Sequence, residues 1–259
     1  METKTLSRDG TRIAWKRSGQ GPAVVLVSGA MSTGATLAPL AVPLAERFGV
    51  TVYDRRGRGE SGDTPPYAVE REIEDLAALI DAVGGEASLY GISSGGALVL
   101  RAAASGLPVR RCAVYEVPYA MDDAEAGARA EYTARLTEAL AQGRRGDAVE
   151  LFLRLTGLGE EVIRGARQSP MWAGMETIAP SLAYDDAVMG DGRLPRSLLA
   201  SIAVPVLSLA GGASAGWMRE AARAVAETVP QGTYRTLEGQ SHMVEPGVLA
   251  PVLMEYFAQ

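Results

Sequence analysis

Leu89-Tyr90-Gly91-Ile92-Ser93-Ser94-Gly95-Gly96 carries a G-x-S-x-G pattern between an apolar run and an apolar helix. Ala87, Leu89 and Tyr90 suit a short buried strand, and residues 96–103 suit a buried helix. A strand that turns so tightly into a helix forces the serine into strained backbone geometry and lifts its hydroxyl above the sheet edge. The turn crowds against itself, so Gly91 and Gly95 read as mechanical requirements. Ser94 competes for the nucleophile position, but two residues before it stands Ile92, a β-branched side chain where Gly91 leaves room. The register favours Ser93. In a chain with 30 glycines the bare pattern also arises by chance, and the plain alternative is a turn in which Ser93 only caps a helix. The strand before and the small-residue helix after carry the catalytic reading.

Working outward, Ala23-Val24-Val25-Leu26-Val27 reads as a buried strand ending in Ser28-Gly29-Ala30. Val50-Thr51-Val52-Tyr53 reads as another, followed by a Gly-rich turn over 54–62. A helix is predicted over 37–48, its start complicated by Pro39 and Pro43. Val69, Ile73, Leu76, Leu79, Ile80 and Val83 form one apolar helical face. A further strand is predicted near 111–117, and Asp9-Gly10 is predicted to turn an N-terminal hairpin. From 118 to 201 no convincing strand is found, only Ala/Glu/Arg-rich helical stretches. The rhythm then resumes with a strand at 204–210, a helix near 217–228, a strand near 233–237 and a final helix near 248–257. Uniformly apolar strands alternating with helices imply an α/β fold, a mostly parallel sheet covered on both faces. Residues 1–117 and 202–259 form the expected core, and 118–201 an inserted helical lid.

Composition bounds the function without naming it. A chain of 259 residues with 47% hydrophobic and 22% charged residues is ordinary for a globular protein with a substantial core. The net charge of −6 argues against nucleic-acid binding. The single cysteine, Cys112, excludes an internal disulfide and reads as a buried, inert thiol. Residues 1–8 contain no apolar signal core, and no apolar run approaches membrane-spanning length, so a cytoplasmic protein without a membrane partner is expected. Oligomeric state stays open.

A serine hydroxyl needs a base within hydrogen-bond reach. The chain has one histidine, His242, in Gly239-Gln240-Ser241-His242-Met243, after the last predicted strand and at the same sheet end as Ser93. With these residues the chain resembles the α/β-hydrolase fold superfamily over nearly its whole length. The matching segments are Leu26-Val27-Ser28-Gly29-Ala30, Tyr53-Asp54-Arg55-Arg56-Gly57-Arg58-Gly59-Glu60-Ser61, the Ser93 elbow and Gly239-Gln240-Ser241-His242. The resemblance implies an eight-stranded, mostly parallel sheet with a helical cap inserted after the sixth strand. It also implies an oxyanion hole made of the Ala30 and Ser94 backbone N–H groups.

Two departures stand out. The family usually has His-Gly after the third strand, where this chain has Ser28-Gly29. The family's acid usually follows the seventh strand, but Gly211-Gly212-Ala213-Ser214 offers no carboxylate there. The other slot follows the sixth strand, where Val114-Tyr115-Glu116-Val117-Pro118 resembles the Glu-x-Pro of zearalenone-type lactonases. Glu116 is therefore the expected acid. The alternative for Glu116 is a strand-end carboxylate paired with an arginine such as Arg55, or capping a lid helix. The arginines of the 54–62 turn are expected to shape a loop rather than bind phosphate. Met31, Met121 and Trp172 are weak candidates for substrate contact, and Met243 for packing.

The expected activity is a serine hydrolase acting without cofactor or metal on a small or medium apolar ester or lactone, with catalytic Ser93, His242 and Glu116. The same fold also hosts C–C hydrolases, lyases, haloperoxidase-like perhydrolases and cyclases. A weakly catalytic ligand-binding protein is the alternative outside enzymes.

Overall fold

Asp9 and Gly10 turn the chain between two antiparallel strands, β1 (Thr3–Leu6) and β2 (Arg12–Ser18). Gly10 takes φ +84°, and Asp9 accepts the Thr11 amide at 2.9 Å, the side-chain contact that favours Asp in such turns. The structure is a computed structural model and describes residues 3–259. The sheet continues with β3 (Ala23–Val27), β4 (Gly49–Tyr53), β5 (Ala87–Ile92), β6 (Val109–Tyr115), β7 (Val206–Gly211) and β8 (Gly232–Leu237). Its eight strands run in the order β1-β2-β4-β3-β5-β6-β7-β8, with β2 antiparallel to β4 and every pairing from β4 to β8 parallel.

Eleven α-helices are present among the described residues: α1 (Ala38–Leu44), α2 (Val69–Val83), α3 (Ser94–Ala104), α4 (Asp123–Ala141), α5 (Arg145–Leu155), α6 (Glu160–Arg167), α7 (Trp172–Ile178), α8 (Leu182–Met189), α9 (Arg196–Ala200), α10 (Gly216–Thr228) and α11 (Pro246–Phe257). Successive side chains of a strand point to opposite faces, so each central strand feeds two cores. Val25, Val27 and Leu89 pack with Leu76, Leu79 and Ile80 of α2 and Leu98 of α3. Val24, Leu26 and Tyr90 face Leu40 and Leu44 of α1 and Leu253 of α11. Cys112 is fully buried in the first core, and burial pushes its thiol up to about 12.

Most boundaries shift by a residue or two from the sequence-based expectation, and two departures have a clear physical cause. The helix predicted over 37–48 is a 3₁₀ turn (Gly34–Leu37) followed by the seven residues of α1. Pro39 sits in its first turn, where no N–H is required, but Pro43 lies inside and removes a ladder donor; the helix ends at Leu44. The sixth strand stops at Tyr115 because Glu116 turns to φ +46°, out of extended geometry.

Residues 118–201 contain α4–α9 and no strand beyond the isolated Ala120–Arg193 bridge. Tyr132, Leu136, Val149, Leu153 and Trp172 share a cluster of their own. Val188, Met189 and Leu199, by contrast, belong to the core under the sheet. The packing thus grades the segment: α4–α7 lean on one another, α8 joins both clusters through Leu182 on one side and Val188 and Met189 on the other, and α9 sits on the core. Among the described residues no helix is long and apolar enough to cross a membrane.

Candidate active site

β3, β5 and β6 are neighbours in the sheet, and just beyond each parallel end stands a non-glycine residue at positive φ. These are Met31 (+53°), Ser93 (+56°) and Glu116 (+46°), the only three among the described residues. Such strain costs of order 1–3 kcal/mol per residue and clusters where function over-determines the backbone.

Ser93 sits at the N-cap position of α3, yet its side chain caps nothing. The elbow is built from glycine for steric reasons. A Cβ on Gly91 would lie 2.4 Å from the Gly95 carbonyl oxygen, and one on Gly95 would lie 2.5 Å from those of Val27 and Ser28. Gly29 passes so close that its Cβ would stand 3.1 Å from Ser93 Cβ. Ser94 is turned inward and buried, its hydroxyl donating to Asp185 of α8 at 2.8 Å.

Glu116 is fully buried, and its Oε1 accepts the Gly211 amide at 2.8 Å while Oε2 lies 2.8 Å from His242 Nδ1. Burial pushes the carboxyl up, but the imidazole, the nearby Ser214 hydroxyl and the Gly211 amide outweigh it and hold it below the ordinary range. Ser214 Oγ lies buried without a well-aligned partner, so it contributes as a neighbouring dipole rather than a formed bond. An ionised carboxylate only accepts, so Nδ1 carries the proton and Nε2 is left as a lone-pair base. Tyr115 Oη donates to the Ser241 carbonyl at 2.6 Å, and the Ala213 amide to that of Gln240 at 2.9 Å; together they pin the histidine loop. The imidazole's hydrogen bond is the one to Glu116, and none yet joins it to Ser93; such bonds are often long in a free enzyme and tighten with substrate.

The amides of Ala30 and Ser94 donate to no acceptor among the described residues. Ser94 begins α3, where helical N–H groups are unpaired and the helix dipole favours negative charge. Ala30 and Met31 are half-buried against the α4–α7 cluster, as are Phe152 and Met175. Met121 is half-buried against the main core. Trp172 is buried inside the α4–α7 cluster, with the Arg167 guanidinium 5.8 Å from its ring centre. Met243, expected to pack, is instead 80% exposed beside the histidine. No group of three or more acidic, histidine or cysteine residues with metal-site geometry occurs among the described residues.

Residues 24–251 match the alpha/beta hydrolase family. The chain belongs to that family. It is 54% identical to an alpha/beta hydrolase from Sphaerobacter thermophilus whose crystal structure superposes with a TM-score of 0.90, covering 98% of this chain and 100% of that one. It is 29% identical over 231 residues to the pimeloyl-[acyl-carrier protein] methyl ester esterase of Xanthomonas campestris, 86% of this chain and 89% of the relative. A 96-residue stretch, 36% of this chain, is 38% identical to a polyketide synthase of Burkholderia thailandensis, of which it spans only 5%.

For this alpha/beta hydrolase the arginine-rich turn is structural. Arg55 grips Glu72 through two bonds of 2.7 Å and reaches Asp185 at 2.7 Å, so it is not the partner of Glu116. Arg56 holds Asp75 and Asp9, and Arg58 holds Asp185 at 2.6 Å. Asp54 accepts the Gly34 and Glu60 amides, and a Cβ on Gly59 would strike its carboxylate. Tyr115, Arg58 and Asp185 escaped sequence reasoning. Tyr115 reads as one more apolar strand residue, and Asp185 is 127 residues from the Arg58 it pairs with.

Proposed function

We propose that the protein is a serine hydrolase that cleaves a small or medium apolar carboxylic ester or lactone through an acyl-enzyme. The observation that carries this reading is the buried Glu116 carboxylate 2.8 Å from His242 Nδ1, one strand over from the Ser93 elbow. His242 Nε2 takes the Ser93 hydroxyl proton as Oγ bonds to the substrate carbonyl carbon. The carbonyl electron pair moves to oxygen, where the Ala30 and Ser94 N–H groups receive the charge. Collapse expels the alkoxide, which takes the proton from the imidazolium. Water repeats the cycle with His242 again as base, releasing the acid and restoring Ser93. Glu116 orients the imidazole and balances its transient charge. Every proton and electron pair is handled by the chain and the substrate.

Helices α4–α7 serve as the lid, and Met31, Met121, Phe152 and Met175 offer adjustable apolar walls. Trp172 supports that wall from inside the lid. The 29% identical methyl ester esterase favours a carboxylic ester over C–C cleavage. Replacing Ser93 with Ala is expected to lower hydrolysis of a p-nitrophenyl ester by roughly four to six powers of ten. It should also abolish labelling by a fluorophosphonate; wild-type turnover in the purified variant would refute the reading.

A further inference from the structure

One buried pair touches both segments that carry the amides assigned to the oxyanion hole. Arg58 and Asp185 are 2% and 4% exposed and joined at 2.6 Å. The other Asp185 oxygen accepts the Ser94 hydroxyl at 2.8 Å and Arg55 at 2.7 Å. Arg58 Nη1 donates to the Gly29 carbonyl at 2.7 Å and to that of Ser32 at 3.2 Å, bracketing the strained Met31.

The Gly29 carbonyl belongs to the same peptide unit as the Ala30 N–H. In a planar trans peptide these two groups point in opposite directions. A guanidinium that holds the carbonyl therefore aims the amide away from itself. Gly29 makes such a constraint necessary, because glycine lets the peptide rotate at little steric cost. A rotated peptide would present a carbonyl oxygen, rather than an N–H, to a developing negative charge.

We propose that Arg58, locked by Asp185 of α8, is the positioning residue that sets the oxyanion hole, aiming the Ala30 N–H through the Gly29 carbonyl while Asp185 holds Ser94. The inference rests on the hydrolase reading and deepens it. Neither side chain touches substrate. Their effect belongs to the tetrahedral intermediate, so it falls on kcat and leaves KM nearly unchanged. The pair also couples α8 to the chemistry: displacing α8 removes Asp185 and loosens both donors together.

The test compares wild type, Arg58→Met, Arg58→Lys and Ser94→Ala, reading kcat and KM on a p-nitrophenyl ester, the rate of fluorophosphonate labelling and the melting curve. Arg58→Met is expected to lose about ten- to a thousand-fold in kcat, as when one oxyanion donor is removed. KM should stay within about threefold, and labelling should slow in parallel with kcat. Arg58→Lys should recover part of the loss, since an ammonium restores a donor but cannot fork between Gly29 and Asp185. A folded Arg58→Met enzyme with wild-type kcat overturns the inference. Where Arg58→Met does not fold, Ser94→Ala decides, because it deletes only the hydroxyl bond to Asp185. A kcat loss of about threefold or more at constant KM supports the inference, and a smaller one overturns it. A wild-type enzyme that neither hydrolyses the ester nor labels overturns the hydrolase reading itself, and this inference falls with it.

Discussion

Glu116 combines three costs that a carboxylate rarely bears together: left-handed backbone at φ +46°, complete burial, and a place at the end of a parallel strand. The Gly211 amide and the His242 imidazole offset the burial, and the positive φ releases the chain from β6 so that the side chain reaches both. A structural acid gains nothing from this arrangement that a shorter polar residue would not supply. Glu116→Gln keeps the shape but loses the charge and favours the wrong imidazole tautomer, so kcat should fall by about three to four powers of ten. Ser214→Ala, at the slot where the family's acid usually stands, should cost less than about tenfold, the scale of one neutral hydrogen bond. Steady-state kinetics of the two variants on one ester check both expectations, and a large loss for Ser214→Ala alone would reverse the assignment. In the sequence, the elbow pointed to Ser93 and the single histidine to His242, whereas Asp54, Glu116 and Glu238 all follow strand ends. Only the resemblance to hydrolases with the acid after the sixth strand singled out Glu116. Arg58 was not legible there, since its work is done through a carbonyl oxygen that no sequence pattern marks.

At the scale of elements, α8 behaves unlike the helices before it. Tyr184 stacks on Tyr67 with ring centres 3.9 Å apart and donates to Asp63 at 2.6 Å. Asp185 takes Arg55, Arg58 and Ser94, and the Val188 carbonyl takes Arg101 at 2.6 Å. Burial pushes the Asp185 carboxyl up, but Arg58, Arg55 and Ser94 hold it below the ordinary range. Breaking a buried pair by removing one partner typically costs about 3–5 kcal/mol, so α8 opens only when the core does. Helices α5–α7 lack such ties and rest on a smaller cluster. Native-state hydrogen exchange should therefore give α8 protection near that of α3, with α5–α7 exchanging faster. Equal protection throughout 118–201 would show that the segment opens as one body. Hydrophobic periodicity found helices in this stretch but could not divide it, because the ties of α8 are polar and lie far apart in sequence. The same limitation made α1 too long: an apolar pattern continues past Leu44, whereas the backbone there passes into irregular turns that mix i→i−3 and i→i−4 bonds.

For the molecule as a whole, stability should depend on pH chiefly through buried carboxylates. Glu116 and Asp185 are held below their ordinary values of 4.5 and 3.8, so the unfolded chain binds protons that the native state refuses. Stability therefore rises with pH through this region, is fully present above the unfolded values, and is lost as pH falls through the folded ones. Asp75 works in the opposite direction. Burial outweighs its Arg56 pair and raises its carboxyl above 3.8, so its share of stability is present at low pH and lost as pH rises through the folded value. Asp9, held by Arg56, is a third depressed carboxylate, and three depressed groups against one raised group leave a net acid lability. Melting temperature should be flat near neutrality and should drop below about pH 4.5, the ordinary carboxylate range. Asp185→Asn should melt lower at neutral pH and show a shallower acid decline, because one of the depressed groups no longer titrates. Thermal melts of both proteins from acid to neutral pH check this, and parallel curves would mean that the acid loss originates outside the Arg58–Asp185 pair. That outcome would leave Glu116, held by His242, and Asp9, held by Arg56, as the acid-sensitive groups.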